Sequence, residues 1–318
     1  MLRFIEDRHS CIQRVVLKNS EGYYADDGEF VNLQQKHNFS LAHFGMLLGM
    51  LRSTLTELQV RHCADFFTLQ ALAAIACLPH LKVLRLEELR CRIDQCSLAE
   101  LANLTQLEEL SVTAEDSEHA WLVGMDAVPK QWAALKRLRK LELRGHRLLI
   151  TLPGFLTAMP LTHLDVSFCK ALDLSCLHLF TSLQVLALQG MNLVETPMGL
   201  ADAMLELRKG LPRTVFSLSG LTALNLADNA LSRVPPQISK LVSLQFLDLS
   251  GNARLQVTAP LTALNRLKNL QLVDMRGIHT ETDLNYWSEA KCASMRHLSA
   301  FSKSLKRGYP GKVLLDLD

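Results

Sequence analysis

Cysteine and histidine are the residues of this chain that could bind zinc or act as nucleophiles, and the sequence has eight cysteines and eleven histidines. Zinc sites use pairs such as Cys-x-x-Cys, and metalloproteases place His-Glu-x-x-His on one helix. Neither motif occurs in the sequence, and there is no Gly-x-Ser-x-Gly turn that would present a serine nucleophile. We therefore predict a protein that is not an enzyme and that needs no metal and no other cofactor.

A phosphate-binding loop would require a glycine-rich segment followed by lysine and a hydroxyl residue. The segment Gly308-Tyr-Pro-Gly311-Lys312 has only part of this pattern, because the glycine spacing is too short and Val313 follows the lysine. We predict that the chain binds neither a nucleotide nor another small-molecule substrate.

The cysteine spacing also bears on the cellular compartment. It fits neither a zinc site nor the disulfide framework of a small secreted domain, so reduced thiols are expected. Residues 1–9 are charged from Arg3 onward and lack the apolar core of a signal peptide. The longest apolar stretches are far shorter than the ~20 residues that span a membrane. We predict a cytoplasmic protein without a transmembrane segment, with association with the cytoskeleton or an axoneme as the alternative.

A leucine pattern recurs through most of the chain, and the structure that it predicts must position any functional side chains. Its clearest copy reads Leu-x-x-Leu-x-Leu-x-x-Asn-x-Leu, with leucines at 221, 224, 226 and 231 and the asparagine at 229. About ten such units are present. Their first apolar residues are Ile12, Leu55, Leu81, Leu107, Leu138, Leu161, Leu183, Leu221, Leu244 and Leu270.

Each unit predicts a short strand followed by a turn. In Leu-x-Leu, alternate side chains lie on one face of a strand, and stacked units bury those leucines against one another. The amide of Asn229 or Asn252 can satisfy backbone groups in the turn, and Cys63 and Cys169 occupy the same position in other units. After the turn, Pro235 and two similarly placed prolines begin short helical or 3₁₀ segments.

These repeats resemble those of the leucine-rich-repeat superfamily. Residues 138–276 are similar to the intracellular subclass found in plant-type and Ras-pathway scaffold proteins, whose units read Leu-x-x-Leu-Pro-x-x-Ile-x-x-Leu. The resemblance implies an α/β fold, a right-handed solenoid. Its curved parallel sheet would form the concave face, with short helices, 3₁₀ turns and loops on the convex face. It also implies a scaffold or recognition module in signal transduction.

The expected organisation is a single leucine-rich-repeat domain over 1–318. Residues 1–54 are irregular N-terminal units that include a helix over 41–51, residues 55–276 are the repeats, and 277–318 are a C-terminal capping region that ends in a strand near Val313. An additional helix is predicted over 197–209, because Pro197 suits a first helical position and Gly210 can end a helix. This helix either packs on the flank of the solenoid or projects toward a partner.

The residues between the leucines of each strand point away from the core and can contact a partner protein. They predict a protein–protein interaction face, and its acidic residues Asp165, Asp248 and Asp274 could attract a basic segment of that partner. The complete set of predicted partner-binding residues is Glu142, Arg144, Asp165, Ser167, Gln189, Asn225, Asp248, Ser250, Asp274 and Arg276.

Other kinds of partner remain as alternatives. The segment 290–312 contains six basic residues and no acidic one, so it could meet nucleic acid or an anionic surface, or simply be a capping helix with a solvated face. The chain could also be a structural subunit of a cytoskeletal or axonemal assembly. By family analogy alone, it could regulate a small GTPase.

Overall fold

A computed structural model of the chain describes residues 12–18, 31–32, 41–61, 69–89, 98–114, 124–194, 209–255, 259–277 and 312–314. The chain divides into two compact units. Unit 1 comprises residues 1–164 and 171–173, and unit 2 comprises residues 165–170 and 174–318. The single repeat domain expected over 1–318 stays a prediction.

The strands of unit 1 pair in parallel. They are β1 (Arg14–Lys18), β2 (Val31–Asn32), β3 (Glu57–Arg61), β4 (Val83–Leu89), β5 (Glu109–Ala114), β6 (Lys140–Glu142) and β7 (His163–Asp165), the last of which contributes residues to both units. The order β2-β1-β3-β4-β5-β6 follows from register pairs such as Leu58 with Leu84 and Leu84 with Leu110. Two α-helices precede β3 and β4, α1 (Leu41–Leu51) and α2 (Leu69–Ala76), and α1 confirms the predicted helix.

Unit 2 repeats the arrangement with shorter strands. Its strands are β8 (Val185–Ala187), β9 (Leu193–Val194), β10 (Lys209–Gly210), β11 (Ala223–Asn225), β12 (Phe246–Asp248), β13 (Leu272–Asp274) and β14 (Lys312–Leu314). The strands pair in parallel in the order β8-β11-β12-β13-β14, while β9 and β10 pair only with each other. Each of the ten leucine units therefore has its predicted strand, and β14 confirms the strand expected near Val313.

Period-two burial explains why these segments are strands. Leu221, Leu224 and Leu226 are at most 2% exposed, whereas Ala223 and Asn225 between them keep partial exposure. Burying one leucine stabilises a fold by about 1.5–3 kcal/mol, so a column of such residues supplies the core. A short 3₁₀ segment lies on the other side of most repeats. In unit 2, those after Pro212 and Pro235 turn Val215 and Ile238 into the core, as predicted.

The asparagine of the repeat motif makes hydrogen bonds to backbone groups in the turn, as the sequence predicts. The Asn229 side chain accepts hydrogen bonds from the amides of Met191 and Leu193 at 3.0 Å. Its Nδ2 donates to the carbonyls of Leu188, Leu226 and Ala227 at 2.9–3.0 Å. Asn252 makes the corresponding bonds in the next repeat, which include one from the amide of Leu231 at 3.1 Å. These side chains therefore tie neighbouring repeats together.

His146 occupies the same position in unit 1 and is fully buried. Its Nδ1 accepts a hydrogen bond from the amide of Met125 at 3.1 Å, so the ring proton lies on Nε2, which donates to the carbonyl of Val112 at 2.6 Å. A second proton on Nδ1 would face the Met125 N–H. Burial lowers the pKa of His146 to about 4, although the bond to Val112 acts in the opposite direction.

We expect acidification to destabilise unit 1 through His146. The unfolded chain binds a proton as pH falls below 6.5, whereas the folded chain does so only near pH 4. Unfolding should therefore cost about 2 kcal/mol less at pH 5 than at pH 7. Urea unfolding at the two pH values measures this difference. The variant His146→Asn cannot titrate there, and an identical pH dependence in both proteins would contradict the assignment.

Two segments predicted from the sequence are only partly described. Residues 195–208 of the helix expected over 197–209 lie outside the described residues, and the structure places Lys209 in strand β10 rather than in a helix. In the capping region 277–318, only residues 277 and 312–314 are described. The basic segment 290–312 lies outside the described residues except for Lys312, which is in β14.

Candidate protein-binding face

The residues predicted to bind a partner lie on the outward-facing side of the parallel strands or in the turns that follow them. Of that set, Glu142 and Arg144 belong to unit 1. The other eight belong to unit 2, and they are Asp165, Ser167, Gln189, Asn225, Asp248, Ser250, Asp274 and Arg276. Ser167 is buried at 1% exposure, so the prediction for this residue is wrong. The two groups differ in how their charges are satisfied.

In unit 1 the outward-facing charges neutralise one another across the strands. Arg85 contacts Glu57 at 2.6 Å and Glu109 at 2.9 Å. Lys140 contacts Glu109 at 3.0 Å and the predicted binding residue Glu142 at 2.8 Å. Since parallel register brings residues of successive repeats side by side, opposite charges one repeat apart become neighbours.

This network is partly buried, which strengthens its pairing. Burial raises the pKa of Glu109, but hydrogen bonds from Arg85 and Lys140 outweigh it and hold that pKa below its usual value. Burial lowers the pKa of Lys140, but hydrogen bonds to Glu142 and Glu109 outweigh it and raise that pKa. Ser111, in the middle of this face, has no exposure. On the described part of the unit 1 face, the charged residues of this network are therefore paired with one another.

The unit 2 face has a different pattern. Position by position, Ala187 pairs with Asn225, Asn225 with Asp248, and Asp248 with Asp274. We call these four residues the carboxylate row, after the two aspartates among them. Asp248 Oδ1 accepts hydrogen bonds from the amide and the hydroxyl of Ser250, at 2.9 and 2.6 Å.

The turns after β7, β11, β12 and β13 use the same hydrogen bond. Asn225 accepts from the amide of Ala227 at 2.8 Å, as Asp165 does from the amide of Ser167. Because neutral Asn225 makes the bond as well as the aspartates, the turn needs an acceptor oxygen and not a negative charge. The charge of Asp248 is therefore not required by the turn.

Asp274 is different because its charge is already paired. Arg276 donates from Nε to Oδ1 at 3.0 Å and from a terminal nitrogen to Oδ2 at 2.6 Å. The hydrogen bond from Arg276 lowers the pKa of Asp274, although burial acts against it. Asp274 is only 8% exposed. Of the aspartates expected to form an acidic stripe, Asp274 therefore contributes least to the surface charge.

A second row on this face went unnoticed in the sequence. Val185 pairs with Ala223, Ala223 with Phe246, and Phe246 with Leu272. We call these four residues the apolar row. Phe246 is 43% exposed, a large apolar side chain on the side of the strand opposite the buried Leu247. The signal was present, because Phe246 stands two residues before Asp248 and side chains two apart in a strand share a face.

The described residues contain no group of three or more His, Cys, Asp or Glu side chains that could hold a metal ion. Within the same residues, no helix has both the length and the apolar character needed to cross a membrane.

Comparisons with known proteins give partial matches. Residues 208–253 match the family model "Leucine rich repeat". An 80-residue segment, 25% of the chain, is 35% identical to disease resistance protein RFL1 of Arabidopsis thaliana and covers 9% of that protein. A solved leucine-rich-repeat protein of Leptospira interrogans aligns with 84% of this chain and 62% of its own at 17% identity and a TM-score of 0.49. An internalin of Listeria monocytogenes aligns with 85% of this chain and 82% of its own at 13% identity and a TM-score of 0.46.

Residues 208–253 therefore carry leucine-rich repeats, and the flanking segments show the same succession of strand, turn and 3₁₀ segment.

Proposed function

We propose that the chain is a non-catalytic recognition module and that the unit 2 face binds a segment of another protein. The observation that carries this proposal is the half-exposed Phe246 in an apolar row beside the carboxylate row. Aromatic side chains ringed by polar groups are frequent anchors of protein interfaces. Repeat proteins generally present such sheet faces to their partners.

The size of the face favours a short segment over a whole domain. Four strands at ~4.8 Å spacing give a width of roughly 19 Å. The apolar row, the carboxylate row and a third row two residues further on, formed by Gln189, Ala227, Ser250 and Arg276, extend about 20 Å along the strands. The resulting area is about 400 Å², whereas a stable interface between two folded proteins buries about 800 Å² on each side. An extended peptide of the partner fits this area.

The chemistry of the two rows defines that peptide. An apolar side chain would pack on Phe246 between the smaller Ala223 and Leu272. A lysine or arginine of the partner would pair with Asp248, whose charge the turn does not use. We therefore propose a basic and apolar segment as the ligand. The other predicted contacts, such as Gln189 and Ser250, would surround this centre.

A displayed library of random dodecapeptides, selected on the full chain, supplies the probe. We expect the selected peptides to carry net positive charge and at least one large apolar residue. The variant Phe246→Ala should weaken their binding about thirtyfold, the effect of removing an interface anchor. Fluorescence anisotropy of labelled peptides measures this. Val242→Ala is the matched control, because Val242 is 56% exposed in the turn before β12 and lies outside the face.

The variant Asp248→Asn tests the charge alone. Asparagine keeps the acceptor oxygen that binds the Ser250 amide, as Asn225 shows one repeat earlier, so the fold should be unaffected. We expect affinity to fall a few-fold and its salt dependence to decrease. Peptides that bind Phe246→Ala and Asp248→Asn as tightly as the unaltered chain would refute the proposed face.

A further inference from the structure

The turns after β7, β8, β11, β12 and β13 each have a left-handed residue at the third position after the strand, where φ lies between 52° and 67°. The five residues are Phe168, Gly190, Asp228, Gly251 and Gly277. Asn192, further along the turn after β8, is also left-handed, with a φ of 58°. Glycine adopts this conformation without steric cost, whereas a residue with a side chain is strained there. Phe168 and Asp228 therefore carry backbone strain at a position that suits glycine.

The neighbouring repeat makes room for both side chains. A β-carbon on Gly190 would collide with the ring of Phe168, and one on Gly251 would collide with the carboxylate of Asp228. Each unusual side chain therefore lies over the glycine of the next turn. This pairing explains how the two residues are accommodated, but it does not explain why glycine is absent from positions 168 and 228.

Backbone hydrogen bonds hold the turns rigidly in place. The amide of Phe168 donates to the carbonyl of Gln189 at 2.8 Å, and that of Asp228 donates to Ser250 at 2.8 Å. The side chain of Gln189 reaches the next turn and donates to Asp228 Oδ2 at 2.7 Å. Asp228 is exposed and Phe168 is half-buried. An aromatic ring, an amide and a carboxylate thus form a fixed ridge beside the unit 2 face, which we call the turn ridge.

We propose that the turn ridge, consisting of Phe168, Gln189 and Asp228, is a second contact for the same partner segment and determines its specificity. The inference rests on the proposed function of the unit 2 face. Left-handed backbone at bulky residues persists where the surrounding structure enforces it, and such residues cluster at ligand-binding and other functional sites. Phe168 would contact a second apolar side chain of the segment, and Asp228 would pair with a second lysine or arginine. Gln189 holds the Asp228 carboxylate in position.

The test compares stability with binding. Phe168→Gly removes the ring and its contact with Gly190, but it also removes the backbone strain, so the two effects on stability oppose each other. We expect the urea midpoint to change little, while affinity for the peptides selected on the unaltered chain falls about tenfold. Leu179→Ala is the control for loss of an exposed apolar side chain elsewhere in unit 2, at 50% exposure. Unchanged affinity of Phe168→Gly would overturn the inference.

If Phe168→Gly lowers both stability and affinity, the variant Asp228→Asn tests whether the turn ridge contacts the partner segment. Asparagine tolerates left-handed backbone and can still accept from Gln189, so only the charge is lost. Weaker binding with smaller salt dependence would support the turn ridge, and unchanged binding would overturn it. If Phe246→Ala weakens binding while neither ridge variant does, the inference fails and the proposed function stands. If Phe246→Ala also has no effect, the proposed function fails as well.

Discussion

Replacing Asn229 with alanine should destabilise unit 2 by roughly 3–5 kcal/mol, among the largest effects of any single substitution in the chain. The side chain is 8% exposed and makes five hydrogen bonds to backbone groups. Alanine would leave two amides and three carbonyls without these bonds. Each unpaired buried polar group costs about 1–3 kcal/mol, and partial entry of water lowers the sum.

Two measurements check this expectation. Urea unfolding should show the loss of stability, and hydrogen exchange should locate it, because the amides of Met191 and Leu193 lose their acceptor in the variant. Asn269→Ala is the matched control. Asn269 is exposed and makes one hydrogen bond, from Nδ2 to the carbonyl of Val242 at 2.9 Å. A loss from Asn229→Ala no larger than that from Asn269→Ala would contradict the structural role of the asparagine position.

The repeats were predictable because their signal is periodic and local. A leucine at every second position defines the buried face of a strand, whatever lies elsewhere in the chain. The role of Asn229 also followed from residue type, since an amide in a buried turn has several backbone groups within reach. The pair β9 and β10 did not follow, because Leu193–Val194 and Lys209–Gly210 are two-residue strands without alternation.

The candidate site was only partly predictable, because pairing between repeats depends on register. The sequence indicates that Asp248 and Asp274 share a face, but it does not indicate that Arg276 forms an ion pair with Asp274. Likewise, the neutral network of Arg85 and Glu109 exists because the parallel register aligns their strands. Left-handed backbone at Phe168 has no sequence signal, since phenylalanine is among the residues least expected there.

Phe246 shows how a chemically visible residue can be overlooked. The predicted contacts were the residues between and after the leucines of each repeat, whose charge varies from repeat to repeat. The residue before the second leucine points to the same side, and here it is the most exposed aromatic group on the described part of the unit 2 face. Side-chain direction alone would have included it. Exposure, in contrast, depends on the small neighbour Ala223 and had to come from the structure.

Replacing Trp132 with alanine should destabilise unit 1 by about 3–5 kcal/mol, the usual cost of removing a large buried aromatic side chain. Trp132 has no exposure, and its Nε1 donates to the carbonyl of Leu98 at 2.8 Å. A tryptophan in a lengthened repeat could either anchor a partner or fill space inside the fold. The burial of Trp132 shows that it fills space.

The variant Trp132→Phe separates packing from hydrogen bonding. It keeps most of the ring but leaves the Leu98 carbonyl without its donor, so about 1–2 kcal/mol should be lost. Unfolding in urea, followed by far-UV circular dichroism because the fluorophore itself changes, measures both variants. Leu69→Ala, at a residue that is 54% exposed, should cost less than ~0.5 kcal/mol. If Trp132→Phe proved as damaging as Trp132→Ala, the hydrogen bond to Leu98 rather than apolar volume would dominate, and the filler interpretation would have to be abandoned.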